Sequence, residues 1–144
     1  MKSEGIGQYH SLEVLREVDF GVYLDGGEIG EILLPGRYVP DGVEAGDFLD
    51  VFLYLDSEDR LIATTEKPYA TVGEFACLRA VAVNQTGAFL DWGLGKDLLV
   101  PYREQREPMY SGRSYVVYIY LDVSSHRIVA STKLRKFLSP EKPS

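Results

Sequence analysis

The chain has 144 residues, of which 45% are hydrophobic and 26% charged, and its formal net charge is −7. This is enough apolar material for one ordinary domain or two small ones, and it excludes a disordered or collagenous chain. No apolar run approaches the roughly 18 residues of a membrane span, and the N-terminus lacks the apolar core of a signal peptide. Cys77 is the single cysteine of the sequence, so an internal disulfide is excluded. We therefore expect a cytoplasmic protein in which Cys77 is a buried hydrophobic residue.

Ten strands are predicted in chain order, from runs rich in Val, Leu, Ile, Tyr and Phe that are separated by Gly, Asn, Asp or Ser. The first five are Tyr9–Val18, Phe20–Asp25, Glu31–Leu34, Phe48–Asp56 and Leu61–Thr65. The next five are Glu74–Asn84, Gly87–Leu94, Asp97–Pro101, Ser114–Asp122 and Arg127–Thr132. Helical turns are expected only in the long connection after each third strand, which contains Pro40 or Pro108, and at Lys133–Phe137.

The two sets of strands are copies of one unit. A shift of 66 places Gly21–Asp25 on Gly87–Asp91 and Val51–Asp56 on Val117–Asp122, and 12 of the 36 positions from 21 to 56 are identical without a gap. Five short strands with a long third connection, in about 66 residues, fit a small five-stranded Greek-key barrel. We therefore predict an all-β chain of two tandem barrels, residues 1–67 and 68–144.

The charge divides at nearly the same place as the repeat. Residues 1–66 carry 4 basic and 15 acidic side chains, a net charge of −11, whereas residues 67–144 carry 11 basic and 7 acidic ones, a net charge of +4. This asymmetry predicts that a nucleic acid binds the second unit and that the acidic first unit contacts a protein or another part of a longer chain. Drift between two solvated surfaces would give the same asymmetry.

No arrangement of residues in the sequence indicates catalysis. His10 and His126 do not combine with Ser and Asp into a triad, and paired cysteines or an HExxH motif are absent. Gly93–Lys96 lacks the spacing and the Ser or Thr of a phosphate-binding loop, and is predicted to be a hairpin turn. We expect a non-enzyme without a metal or a cofactor.

Several segments resemble a known family. Gly87–Pro101, Val117–Asp122 and Arg127–Ser131 resemble the S1 RNA-binding domain, which has an OB fold, and the first unit shows the same order of strands. The tandem arrangement resembles the N-terminal half of the bacterial conserved virulence factor B family, notably at Phe52–Asp56. The resemblance covers about residues 5–138, and it implies two S1-like OB barrels of a virulence regulator and a chain that is a fragment, lacking a C-terminal half.

The resemblance also implies which residues contact RNA. S1 domains use aromatic rings at the start of the second strand and three residues later; these positions are Phe20 and Tyr23 in the first unit, and Thr86 and Phe89 in the second. Tyr23 and Phe89 are equally compatible with a place in the core of a small barrel. The third strands end in proline, where the family has a polar residue, often His.

Other candidates follow from the hairpins and from charge. The Asp and Arg that flank the last hairpin of each unit either contact RNA or brace the hairpin, and Trp92 is expected as an exposed ring that stacks on a base or anchors a protein interface. The candidate RNA-binding residues are Phe20, Tyr23, Arg37, Arg60, Phe89, Trp92, Lys96, Arg103, Asp122 and Arg127.

Two functions fit these expectations. The first is a single-stranded RNA-binding module of a bacterial post-transcriptional or translational regulator, which binds weakly and mainly through the second unit, by base stacking and by Arg and Lys contacts to phosphates. The second is a protein-interaction scaffold that kept the barrels but lost most RNA affinity; the net charge of −7 and Thr86 favour it. In both, the acidic first unit contacts a protein partner or the missing C-terminal half, and no membrane is involved.

Overall fold

The computed structural model describes residues 5–56 and 58–138, and these contain ten strands. The first five are β1 (Tyr9–Val18), β2 (Gly21–Asp25), β3 (Glu31–Pro35), β4 (Phe48–Leu55) and β5 (Leu61–Thr64). The next five are β6 (Phe75–Val83), β7 (Gly87–Asp91), β8 (Leu98–Pro101), β9 (Ser114–Asp122) and β10 (Arg127–Ser131). The prediction of ten strands is confirmed.

Short 3-10 turns connect some of these strands. The turns that follow β3 and β8, Gly36–Tyr38 and Tyr102–Glu104, confirm the expected helical turn in each long connection, and the expected C-terminal helix is a 3-10 turn at Leu134–Phe137. A further turn at Gly27–Ile29 was not predicted. It forms because the Asp25 carboxylate accepts a hydrogen bond from the Gly27 N–H at 2.8 Å and so bends the chain as β2 ends.

Each set of five strands closes into a barrel. The first has the strand order β1-β2-β3-β5-β4 and is closed by the antiparallel pairing of β1 with β4. The second has the order β10-β8-β7-β6-β9. In both barrels the third and fifth strands pair in parallel, through Leu33 and Ile62 and through Leu99 and Val129. The predicted all-β architecture of two small barrels is confirmed; the division of the chain after residue 67 stays a prediction, located between β5 and β6.

Alternating residues of the strands fill each barrel. The core of the first barrel consists of Val14, Val22, Leu24, Ile32, Leu34, Val51, Leu53 and Ala63. Buried residues of the second barrel include Leu78, Ala80, Ala88, Leu90, Leu98, Val100, Val117 and Ile119. Because successive side chains of a strand point to opposite faces, the residues between these, such as Tyr23 and Phe89, point to the outside of the barrels.

The same alternation corrects the prediction for Cys77. Leu78 and Ala80 of β6 are buried, so their odd-numbered neighbours face outward, and Cys77 is exposed rather than buried. No helix among the described residues is long and apolar enough to cross a membrane.

Candidate nucleic-acid interface

The β1–β2 hairpin brings an arginine and two aromatic rings to one side of the first barrel. Val18 pairs with Gly21, so the connection has only two residues, and this register sets Arg16 opposite Tyr23 on the outer face. A register shift between Val14 and Arg16 then restores the inward direction of Val14. Phe20 lies in the turn itself, and its ring is largely exposed.

Arg16, Phe20 and Tyr23 form a group that we call the aromatic platform. The rings of Phe20 and Tyr23 meet edge to face, with centroids 6.2 Å apart and planes at 87°. The guanidinium carbon of Arg16 lies 4.6 Å from the centroid of the Tyr23 ring, in a cation–π contact. Phe20 is 58% exposed, so one apolar ring beside a cation is open to solvent.

Glu31 at the start of β3 holds the platform arginine. The Arg16 Nη1 donates to the Glu31 Oε2 at 2.7 Å, and this hydrogen bond lowers the pKa of the Glu31 carboxyl below its usual value. Both side chains are close to half exposed, and surface ion pairs of this kind contribute little to stability because water and salt screen them. A phosphate can therefore replace the carboxylate as the partner of Arg16.

The corresponding face of the second barrel is built differently. Phe89 occupies the position of Tyr23 and faces outward, half-buried, but its cross-strand partner is Ala82 where the first barrel has Arg16. Thr86 stands where the first barrel has Phe20. The second barrel therefore presents a single ring at this position, without a second aromatic ring or the cross-strand cation.

Trp92 is not exposed, and the expectation that its ring is open to a base or a partner is wrong. It is 3% exposed, and its indole Nε1 donates to the main-chain carbonyl of Lys96 at 2.7 Å. The hydrogen bond ties together the two ends of the β7–β8 connection, which leaves the Lys96 side chain exposed. The strand was expected to continue to Leu94, but it ends at Asp91, whose carboxylate accepts the Gly93 N–H and starts the turn.

The Asp and Arg of the β4–β5 hairpin brace it. Asp56 Oδ1 accepts the main-chain N–H groups of Glu58 and Arg60, both at 2.9 Å, and its Oδ2 accepts Arg60 Nε at 3.0 Å. In the β9–β10 hairpin the Asp122 carboxylate accepts the hydroxyls of Ser124 and Ser125. Of the two interpretations, RNA contact or bracing of the hairpin, these hydrogen bonds support bracing for Asp56 and Arg60.

The other predicted cations lie on separate elements. Arg37 and Arg103 lie in the 3-10 turns after β3 and β8, and the Arg37 guanidinium carbon is 4.6 Å from the centroid of the Tyr38 ring. Arg103 is exposed, and Arg127 is the first residue of β10. Among the predicted site residues, the structure joins Phe20 to Tyr23 as an aromatic pair and Trp92 to the main chain of Lys96 by a hydrogen bond.

Sequence reasoning missed Arg16. The signal was present, since a two-residue connection from Val18 to Gly21 pairs Arg16 with Tyr23 directly. The net charge of −11 over residues 1–66 instead favoured the second unit as the RNA-binding one.

Comparisons with known proteins agree with this architecture. A family model described as "S1 domain" matches the chain twice, over residues 6–66 and 72–133. The uncharacterized protein YitL of Bacillus subtilis (strain 168) is 37% identical over 95 residues, which are 65% of this chain and 32% of YitL, so the chain spans about a third of that relative.

A solved structure extends the comparison to the fold. The multidomain protein with nucleic acid binding domains from Streptococcus pneumoniae superposes with a TM-score of 0.74 and 21% sequence identity, over 92% of this chain and 47% of that chain. At this identity the likeness concerns the fold.

Proposed function

The chain belongs to the S1 domain family, and from this membership we propose that it is a non-catalytic single-stranded RNA-binding module of a bacterial post-transcriptional or translational regulator. Bases stack on aromatic rings, and arginine and lysine side chains contact the phosphates.

The observation that carries the proposal is the aromatic platform. An exposed phenylalanine, a tyrosine edge to face with it and an arginine over the tyrosine ring provide a surface for a base and a cation for the adjoining phosphate. Stacking of a base on such a ring contributes about 1–3 kcal/mol and accepts any base, because every base has a π-face. Binding by the platform alone is therefore tolerant of sequence.

We infer that base stacking is centred on the first barrel, although the sequence-based expectation favoured the second. Charges beyond about 8 Å are largely screened at physiological salt, so Arg16 beside the rings matters more than the net charge of the unit. In the second barrel the corresponding positions are Ala82 and Thr86, which supply neither a cation nor a ring. The second unit contributes through its cations.

The proposed regulatory role is argued from the kind of RNA binding and from the relatives of the chain. A module that holds a single strand without cleaving it suits a cytoplasmic protein that controls access to a transcript. The relation to a Bacillus subtilis protein supports a bacterial origin, and the resemblance to the conserved virulence factor B family supports regulation of virulence.

The test is fluorescence anisotropy of labelled oligo-U and oligo-A RNA, titrated with the protein and with Phe20→Ala. We expect this variant to bind both RNAs at least about fivefold more weakly, since it loses one stacked base. Phe48→Ala is the matched control: Phe48 is a 65% exposed phenylalanine of the same barrel, on β4, which pairs with β1 and β5 rather than β2.

Unchanged affinity of Phe20→Ala, or an equal loss in Phe48→Ala, would remove the platform from the proposal. An absence of binding to RNA at low salt would instead favour the protein-interaction scaffold, with a partner for the acidic first unit.

A further inference from the structure

A cleft in the second unit is lined mostly by basic side chains. It has a volume of about 470 Å³ and lies between Arg106, in the connection from β8 to β9, and the segment that follows β10. Its lining residues are Arg106, Thr132, Lys133, Leu134, Arg135 and Lys136, which we call the basic cleft. None of the six is among the ten candidate RNA-binding residues named from the sequence, but Arg106, Lys133, Arg135 and Lys136 belong to the cations through which the second unit is expected to contact phosphates.

Two sets of contacts hold the walls of the basic cleft in place. The main-chain N–H of Arg106 donates to the Thr132 Oγ1 at 2.8 Å, and the N–H of Thr132 donates to the carbonyl of Glu104 at 3.1 Å. The ring of Phe137 stacks on Tyr118, with centroids 4.4 Å apart, and fixes the 3-10 turn that carries Arg135 and Lys136. Contacts within the second unit thus hold both walls of the basic cleft in position.

The charge of the basic cleft is only partly balanced. Lys136 Nζ lies 2.7 Å from Glu104 Oε1, and Glu104 is 7% exposed, so this carboxylate is committed to Lys136 and to the buried Ser131 hydroxyl. Arg106, Lys133 and Arg135 are exposed, and no ion pair joins them to a carboxylate within residues 5–56 and 58–138. Glu107 lies in the adjoining cavity, beside Arg106.

We propose that the basic cleft binds the phosphodiester backbone of a single-stranded RNA, as a contact separate from the aromatic platform. The proposal rests on the proposed function for the identity of the ligand. The guanidinium groups of Arg106 and Arg135 and the ammonium group of Lys133 provide charge-assisted hydrogen bonds to phosphate oxygens. The described residues that line the cleft include no aromatic ring, so these side chains recognise the backbone and not the bases.

The test compares two charge-matched double variants of the whole chain. Lys133→Gln/Arg135→Gln removes two cations of the basic cleft, and Arg79→Gln/Arg113→Gln removes two exposed cations of the same unit outside it. Anisotropy with labelled oligo-U is measured at several salt concentrations. Each lost phosphate contact reduces the magnitude of the negative slope of log affinity against log salt by about 0.7. The slope of the cleft variant should therefore become shallower by about 1.4, and that of the control by clearly less.

Equal losses of slope in the two double variants, or no loss in the cleft variant, overturn the proposal. Labelled poly-glutamate is the second probe, and binding of it as tight as that of RNA assigns the cleft to an acidic protein instead. The emission of the buried Trp92 verifies that both variants are folded.

Failure of the basic cleft and failure of the platform are distinguishable. If Phe20→Ala weakens RNA binding while the cleft variant does not, the proposed function stands and the cleft proposal falls. If only the cleft variant weakens binding, the cleft proposal stands without the platform. If the unsubstituted chain binds no RNA at low salt, both fall.

Discussion

Arg16, Phe20 and Tyr23 acquire their joint role from the hairpin that connects them. Each residue is ordinary by itself, but the short turn exposes Phe20 and the cross-strand register stacks Arg16 on Tyr23. Glu31 competes with a phosphate for Arg16, because its carboxylate accepts a hydrogen bond from the guanidinium group that a phosphate would contact.

Glu31→Gln should strengthen RNA binding. The substitution removes a negative charge from the edge of the platform and weakens the competition for Arg16, so we expect affinity to rise roughly threefold at low salt and the salt slope to steepen. Anisotropy with oligo-U measures both quantities. Glu28→Gln is the control, since it removes an exposed carboxylate from the nearby turn; an equal gain there would show a general charge effect.

Glu104 illustrates a residue with a structural role. Burial raises the pKa of its carboxyl, but hydrogen bonds from Lys136 and Ser131 and the charges of Lys136 and Lys133 lower it, to a net value below the usual 4.5. Because the pKa is lower in the folded protein than in the unfolded chain, the carboxylate stabilises the fold above about pH 4.5, and this contribution is lost as the pH falls through the folded pKa.

Glu104→Gln should therefore lower the free energy of unfolding at pH 7 by about 1–2 kcal/mol, an amount reduced by the partial exposure of Lys136. The difference from the unsubstituted protein should shrink below about pH 4.5. Urea unfolding monitored by Trp92 fluorescence measures the stability of the second barrel, where this tryptophan is buried. Glu107→Gln, an exposed neighbour, should change little; a similar loss there would contradict the assignment.

At the scale of the element, the repeat preserves one close approach between strands. Gly21 and Gly87 begin β2 and β7 with φ angles of 150° and 155°, and each faces the proline that ends the next strand. A Cβ atom on Gly21 would lie 2.1 Å from the carbonyl oxygen of Leu34, and one on Gly87 would lie 2.2 Å from that of Val100. This explains why both units keep glycine here while the residue before it differs.

Gly21→Ala should destabilise the first barrel by more than about 2 kcal/mol, because the added methyl group collides with main-chain atoms that cannot move without breaking the β2–β3 pairing. Far-UV circular dichroism during urea unfolding gives the change. Gly36→Ala is the comparison: its Cβ would be 3.6 Å from the Phe20 carbonyl oxygen, an ordinary contact, so its effect should stay within about 0.5 kcal/mol. Equal effects of the two substitutions would contradict this explanation.

At the scale of the whole molecule, the proposed stacking contacts and the proposed phosphate contacts lie in different units. The chain carries −7 overall, yet its candidate RNA contacts are local: the aromatic platform in one unit and the basic cleft in the other. Base stacking is insensitive to the salt concentration. Contacts to phosphates release counterions, so their contribution to affinity falls as the salt concentration rises.

The salt dependence of the whole chain should follow from this separation. With two to four phosphate contacts, we expect a slope of about −1.4 to −2.8 for log affinity against log salt. Phe20→Ala should lower the affinity by the same factor at every salt concentration and leave the slope unchanged. Titrations between about 50 and 200 mM KCl test this. A change of slope in Phe20→Ala would mean that the ring acts by positioning a cation rather than by stacking.

The sequence by itself determined the repeat, the ten strands, the closed barrels and the family, because each depends on local patterns: alternating apolar residues, turn residues and the spacing of identities. Through the resemblance to S1 domains it also predicted Phe20 and Tyr23 as RNA contacts; the structure shows these two rings side by side, and their contact with RNA stays a prediction. The ends of strands were less well determined, as at β7, where the Asp91 side chain starts the turn early.

Only the tertiary structure decided which side chains share a surface. Trp92 is buried against the main chain of Lys96, Cys77 faces outward, Arg16 joins the rings, and the cations after β10 meet Arg106 across a cleft. These outcomes depend on cross-strand register and on contacts between residues about 30 positions apart, such as Lys136 with Glu104. Net charge counts side chains without regard to position, and a ligand responds only to the charges within a few ångströms of it.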